Sequence, residues 1–126
     1  MAKKLLAVDD EKSILMILNH VFGKKYEVVQ KTNAKDALEW MQQGNIPDVI
    51  IADMNMPEMS GLDFIHQIRS SGFFREVPLV MLSGNESTAD KIKCLKAGAD
   101  DYMVKPFNPE ELEARIENIF RRIKND

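Results

Sequence analysis

Apolar residues in this chain follow two alternating rhythms. Short unbroken runs, Leu5-Leu6-Ala7-Val8, Val49-Ile50-Ile51-Ala52, Leu79-Val80-Met81-Leu82 and the shorter Tyr102-Met103-Val104, have the continuity of strands buried on both faces. Tyr26 to Gln30 reads as another short strand, second in chain order. Between the strands, apolar residues recur at helical spacing. One such stripe is Ile14, Leu15, Leu18, Val21 and Phe22, closed by Gly23. Leu62, Ile65 and Ile68 mark the third helix, and Ile92 and Leu95 the fourth, with Gly98 after it. Leu112, Ile116, Ile119, Phe120 and Ile123 form the stripe of the last, begun by Asn108 as N-cap and Pro109 at the first helical position. Ala34 to Gln43 is the second helix; it ends at Gly44, and Pro47 bars it from running into the third strand.

Five strand-then-helix units in succession imply an α/β fold, a doubly wound parallel sheet with helices on both faces and right-handed crossovers. No internal repeat, linker or low-complexity segment interrupts the 126 residues, so residues 1–126 are expected to form one domain.

Composition changes this picture little. The net charge of −3 gives no basic bias, which argues against direct nucleic-acid binding. No apolar run approaches the ~20 residues a membrane span needs, and the charged start Met1-Ala2-Lys3-Lys4 has no long apolar region behind it. The single cysteine, Cys94, cannot form an internal disulfide, which suits a reducing cytoplasm, and its place in a helical pattern marks it as a packed small apolar residue.

The candidate chemistry lies where the strand-like runs stop. Asp9 and Asp10 follow the first, Asp53 the third, Ser83 the fourth and Lys105 the fifth. In an open parallel sheet the carboxyl ends of the strands share one rim, and ligands bind in the crevice outside it. Three acids, a hydroxyl and an amine are therefore expected to meet at one place. Carboxylates titrate near 4 in model peptides, so the three acids prefer to be charged and must repel one another. A hard divalent cation relieves that repulsion, and oxygen-only ligands favour Mg²⁺, whereas zinc would want His or Cys. His20 and His66 fall in helical patterns away from the rim and are expected to be ordinary surface or partly packed residues.

These positions, together with the segment Asp53-Met54-Asn55-Met56-Pro57-Glu58-Met59-Ser60-Gly61 and the stretch Ala97-Gly98-Ala99-Asp100-Asp101-Tyr102-Met103-Val104-Lys105-Pro106-Phe107, resemble the receiver domain of bacterial two-component response regulators, the CheY-like fold. The resemblance covers nearly the whole chain. It implies a five-stranded sheet in the order 2-1-3-4-5, and a phosphorelay in which Asp53 takes a phosphoryl group from a phosphohistidine of a sensor histidine kinase or phosphotransfer protein. Asp10 and Asp53 would hold Mg²⁺ through their side chains, Asn55 through its backbone carbonyl, and Asp9 mostly through a bound water. Lys105 would meet charge on the phosphoryl oxygens. Ser83, where threonine is commoner, would be the switch hydroxyl, and Tyr102 would rotate inward from solvent to report phosphorylation on the fourth helix, fifth strand and fifth helix. Lys105-Pro106 resembles the family's cis peptide, and the side chains of Asn55 and Asn85 would overhang the phosphoryl group.

Such a domain catalyses its own phosphorylation and dephosphorylation, with no separate substrate turnover, and acts on a downstream target or a fused output domain. The resemblance extends to winged-helix regulators, whose receivers form two-fold dimers when activated. Here Lys91 would pair with Glu111 and Asp101 with Arg115 across the interface, with apolar contacts such as Leu95 supplying most of the attraction. A receiver-shaped scaffold that works without phosphorylation is the alternative. A haloacid-dehalogenase-like phosphatase would want an acid two residues after its nucleophile, where this chain has Asn55.

Overall fold

The computed structural model describes residues 2–124. Five strands, β1 (Lys3–Val8), β2 (Tyr26–Lys31), β3 (Val49–Asp53), β4 (Leu79–Ser83) and β5 (Asp101–Val104), alternate with five helices, α1 (Lys12–Phe22), α2 (Ala34–Gln42), α3 (Gly61–Arg69), α4 (Thr88–Ala97) and α5 (Pro109–Lys124). All pairings are parallel and the strand order is β2-β1-β3-β4-β5. Every residue of β3 and β4 is buried, as expected for central strands covered on both faces.

The two-residue period of the strands sorts the core into two layers. Leu6, Val8, Ile50, Ala52, Leu79 and Met81 face α2, α3 and α4, where Ala37, Met41, Phe64, Ile68 and Cys94 complete one layer. Leu5, Ala7, Val49, Ile51, Val80 and Leu82 face α1 and α5, against Leu15, Leu18, Phe22, Leu112 and Ile116.

Side-chain caps start most of the helices. Asn33 accepts the Asp36 N–H, Ser60 the Asp63 N–H, Ser87 the Asp90 N–H and Asn108 the N–H groups of Glu110 and Glu111. Helix α4 departs from its expected pattern. Ile92 and Leu95 are 45% and 40% exposed, and Cys94 is the residue that this helix buries. The α3–α4 side of the molecule is tied by Arg69, whose guanidinium donates to the carbonyls of Gly98, Arg75 and Val77 and lies 3.2 Å from the Asp100 carboxylate. The Lys105-Pro106 peptide is cis.

Candidate functional site

Parallel strands bring their carboxyl ends to one rim, and the structure places the expected residues there. Asp9 directly follows β1, Asp53 and Ser83 are the last residues of β3 and β4, and Lys105 directly follows β5. Backbone bonds lock these ends together. Asp9 donates its N–H to the Lys31 carbonyl at 3.1 Å, and Lys105 donates its N–H to the Ser83 carbonyl at 2.7 Å.

Asp9, Asp10 and Asp53 present carboxylate oxygens that all lie within 4.8 Å of one another. Asp9 and Asp53 are 1% and 5% exposed, while Asp10 opens to solvent. At ~4 Å two unit charges repel by about 4 kcal/mol for an effective dielectric near 20. Lys105 offsets part of this: its Nζ lies 2.9 Å from Asp9 Oδ2, 3.1 Å from Asp53 Oδ1 and 3.3 Å from Glu11 Oε1. Glu11 was not singled out in the sequence, because a glutamate just ahead of a helix carries no distinctive signal.

Burial raises the Asp53 pKa from 3.8 to about 6; the Asp9 charge adds to the rise and Lys105 opposes it. Burial raises Asp9 as well. For Lys105, burial alone would lower the pKa, but the Asp9 and Asp53 carboxylates outweigh it and hold the ammonium above its ordinary value. Asp9 Oδ1 accepts the Glu11 N–H at 2.9 Å. Oδ2 is buried with the Lys105 ammonium, 2.9 Å away, as its ion-pair partner. Such an oxygen, next to two further carboxylates and with no His or Cys in the cluster, suits a hard divalent cation.

Gly61 explains how the acceptor strand is held. A Cβ there would lie 2.5 Å from the Asp53 carbonyl oxygen and 2.7 Å from Met54 Cα, and the Gly61 N–H donates to Met54 O at 2.7 Å. The start of α3 can approach β3 this closely only without a side chain. On the same loop Glu58 has a positive φ of 70°.

Ser83 is fully buried, and its Oγ accepts the Asn85 N–H at 3.1 Å. Tyr102 is 5% exposed, with its hydroxyl donating to the Asn85 carbonyl at 2.9 Å. The ring, expected to start from solvent, therefore already lies inward, since burying it removes apolar area from water while the hydroxyl keeps a partner. The Asn85 side chain also differs from expectation. Instead of overhanging the site, it is engaged with α4, donating to Asp90 Oδ2 at 2.7 Å and accepting the Ser87 N–H at 2.9 Å. Asn55 is exposed two residues past Asp53.

Away from the rim, Lys91 is exposed on α4, and Arg115 of α5 holds Asp101 at 2.9 Å and Glu111 at 2.8 Å within the same chain. His20 and His66 are exposed on α1 and α3. Cys94 is buried with its Sγ 3.2 Å from Met54 Sδ, and burial raises its thiol pKa, so it serves as packing.

The model of the response regulator receiver domain matches residues 5–117. A probable transcriptional regulator, ycf27 of Guillardia theta, is 43% identical over 121 residues, covering 95% of this chain and 46% of that protein. Chemotaxis protein CheY1 of Helicobacter pylori is 37% identical over 116 residues, covering 90% of this chain and 94% of that protein. Among solved structures, the receiver domain of the Pseudomonas aeruginosa sensor histidine kinase PA1611, described with a magnesium ion coordinated in its active-site cleft, superposes with a TM-score of 0.84 at 25% identity, covering 94% of this chain and 97% of that one. The chain spans about half the length of ycf27 and of several other curated relatives, such as the PhoP regulator of Bacillus subtilis, half of which it covers. Sequence, strand order and the acidic rim agree: the chain belongs to the response regulator receiver domain family of two-component signalling.

Proposed function

We propose that Asp53 is the phosphoacceptor of a Mg²⁺-dependent phosphorelay switch. The observation that carries this reading is one buried carboxylate at a strand end, with the Lys105 ammonium 3.1 Å away and two further carboxylates within 4.8 Å. In the transfer, an Asp53 carboxylate oxygen forms a bond to phosphorus as the bond to the donor's imidazole nitrogen breaks, and the electron pair stays on that nitrogen. Asp10, Asp53 and the Asn55 backbone carbonyl are the groups that would hold Mg²⁺ directly, with Asp9 acting through a water. Bound there, the ion supplies charge neutralisation for the phosphoryl oxygens. Lys105 is close enough to Asp53 to meet an equatorial phosphoryl oxygen, and Ser83 offers its hydroxyl hydrogen to another.

The donor is a sensor histidine kinase or phosphotransfer protein, and the readout is the surface of α4, β5 and α5, used by a downstream target or a fused output domain. Residues 1–126 would act as a single domain working in the cytoplasm, where a lone cysteine stays reduced. Phosphorylation favours a two-fold dimer on that surface, to which the exposed Ile92 and Leu95 contribute apolar area. Arg115 already pairs with Asp101 and Glu111 within the chain, so a cross-subunit Asp101–Arg115 or Lys91–Glu111 pair must share or exchange those contacts. Exposed pairs are worth only ~0–1 kcal/mol each, so they select register more than they add affinity.

Incubation with acetyl phosphate and Mg²⁺, followed by intact-mass measurement, should show one added phosphate that is absent in Asp53→Asn and absent with EDTA. A wild-type chain that stays unmodified under these conditions removes the assignment.

A further inference from the structure

Asn85 spends every polar group it has. Its N–H goes to Ser83 Oγ, its carbonyl receives the Tyr102 hydroxyl, its side-chain oxygen takes the Ser87 N–H, and its side-chain NH₂ donates to the Asp90 carboxylate at 2.7 Å. Ser87 in turn caps α4 by accepting the Asp90 N–H. The result is a run of hydrogen bonds from the end of β4 to the first turn of α4, side chain to backbone except for the Asn85–Asp90 link, with the Tyr102 ring attached midway. The shortest link is the one to a charged acceptor, the class of hydrogen bond that is strongest.

We propose that Asn85 is a positioning residue: through its grip on Asp90 it makes the Ser83 hydroxyl, the Tyr102 ring and the first turn of α4 move as one body. A hydroxyl accepts and donates at once. Ser83 can therefore give its hydrogen to a phosphoryl oxygen while still holding the Asn85 N–H, and any displacement of Ser83 is passed through the Asn85 peptide to both Tyr102 and α4. This coupling rests on the assignment of Asp53 and Ser83 above. It differs from a role over the phosphoryl group, because the Asn85 side chain is committed to α4.

The pair permits an exchange of donor and acceptor. Asn85→Asp alone sets two carboxylates against each other, and Asp90→Asn alone removes the charge from the acceptor. The double variant restores a carboxylate and an amide, since an aspartate at position 85 can accept both the Ser87 N–H and the amide of an asparagine at position 90. Amide hydrogen exchange over residues 88–91 and the beryllofluoride-induced shift of the Tyr102 ring resonances report the two ends of the clamp. In Asn85→Asp, exchange in that turn should accelerate roughly tenfold, the loss of about one charge-assisted bond, and the Tyr102 shift should shrink. The double variant should recover most of both. The proposal is overturned if the double variant, folded and taking up phosphate at the wild-type level, recovers neither. It is also overturned if phosphoryl lifetime follows residue 85 alone, whatever stands at 90, for then the side chain acts at the phosphoryl group itself. A wild-type chain that takes no phosphate refutes the Asp53 assignment instead; the exchange rates of the untreated variants still decide the clamp, by the same recovery.

Discussion

Replacing Asp53 by asparagine tests whether the rim is built under electrostatic strain that a cation relieves. The folded protein holds the Asp53 pKa at about 6 against an ordinary 3.8. At 1.36 kcal/mol per unit, that shift means the ionised carboxylate destabilises the metal-free fold by about 3 kcal/mol relative to a neutral group. The attraction of Lys105 is already contained in that figure, since it is one of the causes of the net shift. A raised carboxyl pKa contributes stability that is complete below the unfolded value and lost as pH climbs through the folded one. Wild type should therefore lose stability between about pH 4 and pH 6 from this group, and the Asp53→Asn variant should not.

The expected result in EDTA is an Asp53→Asn protein about as stable as wild type near pH 3.5. It should be ahead by about half the full effect near pH 5 and by up to about 3 kcal/mol at pH 7, or roughly 10 °C in Tm. Urea unfolding across that pH range measures it. Saturating Mg²⁺ should narrow or invert the gap, because a cation that binds only the folded state stabilises wild type by mass action. An Asp53→Asn variant less stable than wild type at pH 7 in EDTA, or a gap that does not change with pH, would refute the reasoning. The first result would mean that Lys105 more than offsets burial and repulsion at Asp53, and the second that it just balances them.

Lys105→Ala should leave Mg²⁺ affinity unchanged or higher, measured by calorimetric titration, while slowing acetyl phosphate uptake by on the order of 10²-fold in a mass-resolved time course. A matching loss of metal affinity would contradict the separate roles, since removing a neighbouring positive charge does not repel a cation. Gly61→Ala should cost more than about 2 kcal/mol in urea unfolding, because the new Cβ meets not only the Met81 side-chain tip but also the Asp53 carbonyl oxygen and Met54 Cα, backbone atoms that cannot move aside. A change of less than about 0.5 kcal/mol would show that α3 shifts freely against the acceptor strand.

Legibility along this chain follows how local the physics is. Strands β1, β3 and β4 were readable because burial on both faces requires continuous apolar runs, and the acids and Ser83 because a parallel sheet puts every strand's carboxyl end on one rim. The order β2-β1-β3-β4-β5 was not readable from those runs, since strands of four to six residues pair equally well in several orders; it came from the resemblance to receivers. Ile92 and Leu95 mark a real helix but misstate its buried face. On α4 one small residue, Cys94, fills the contact with Met54, and the larger apolar side chains stay outside.

The features hardest to read are polar side chains that act across sequence distance. Arg69 reaches carbonyls on two loops and a carboxylate 31 positions away, and nothing about one arginine at the end of a helix signals that reach. Half of the Asn85 clamp had a local signature: Ser87 followed three residues later by Asp90 is a helix-start pattern, and the structure shows that cap. The other half had none. Spacing from Ser83 places the backbone of residue 85 near the switch but leaves its side chain free to turn either way. Asp90 decides the direction, because a carboxylate fixed on the first turn of α4 offers the amide a charged acceptor, whereas over Asp53 the same amide would have to serve a group that Lys105 already holds. A residue at this position with no donor for Asp90 would be expected to leave the switch loop and α4 as separate bodies.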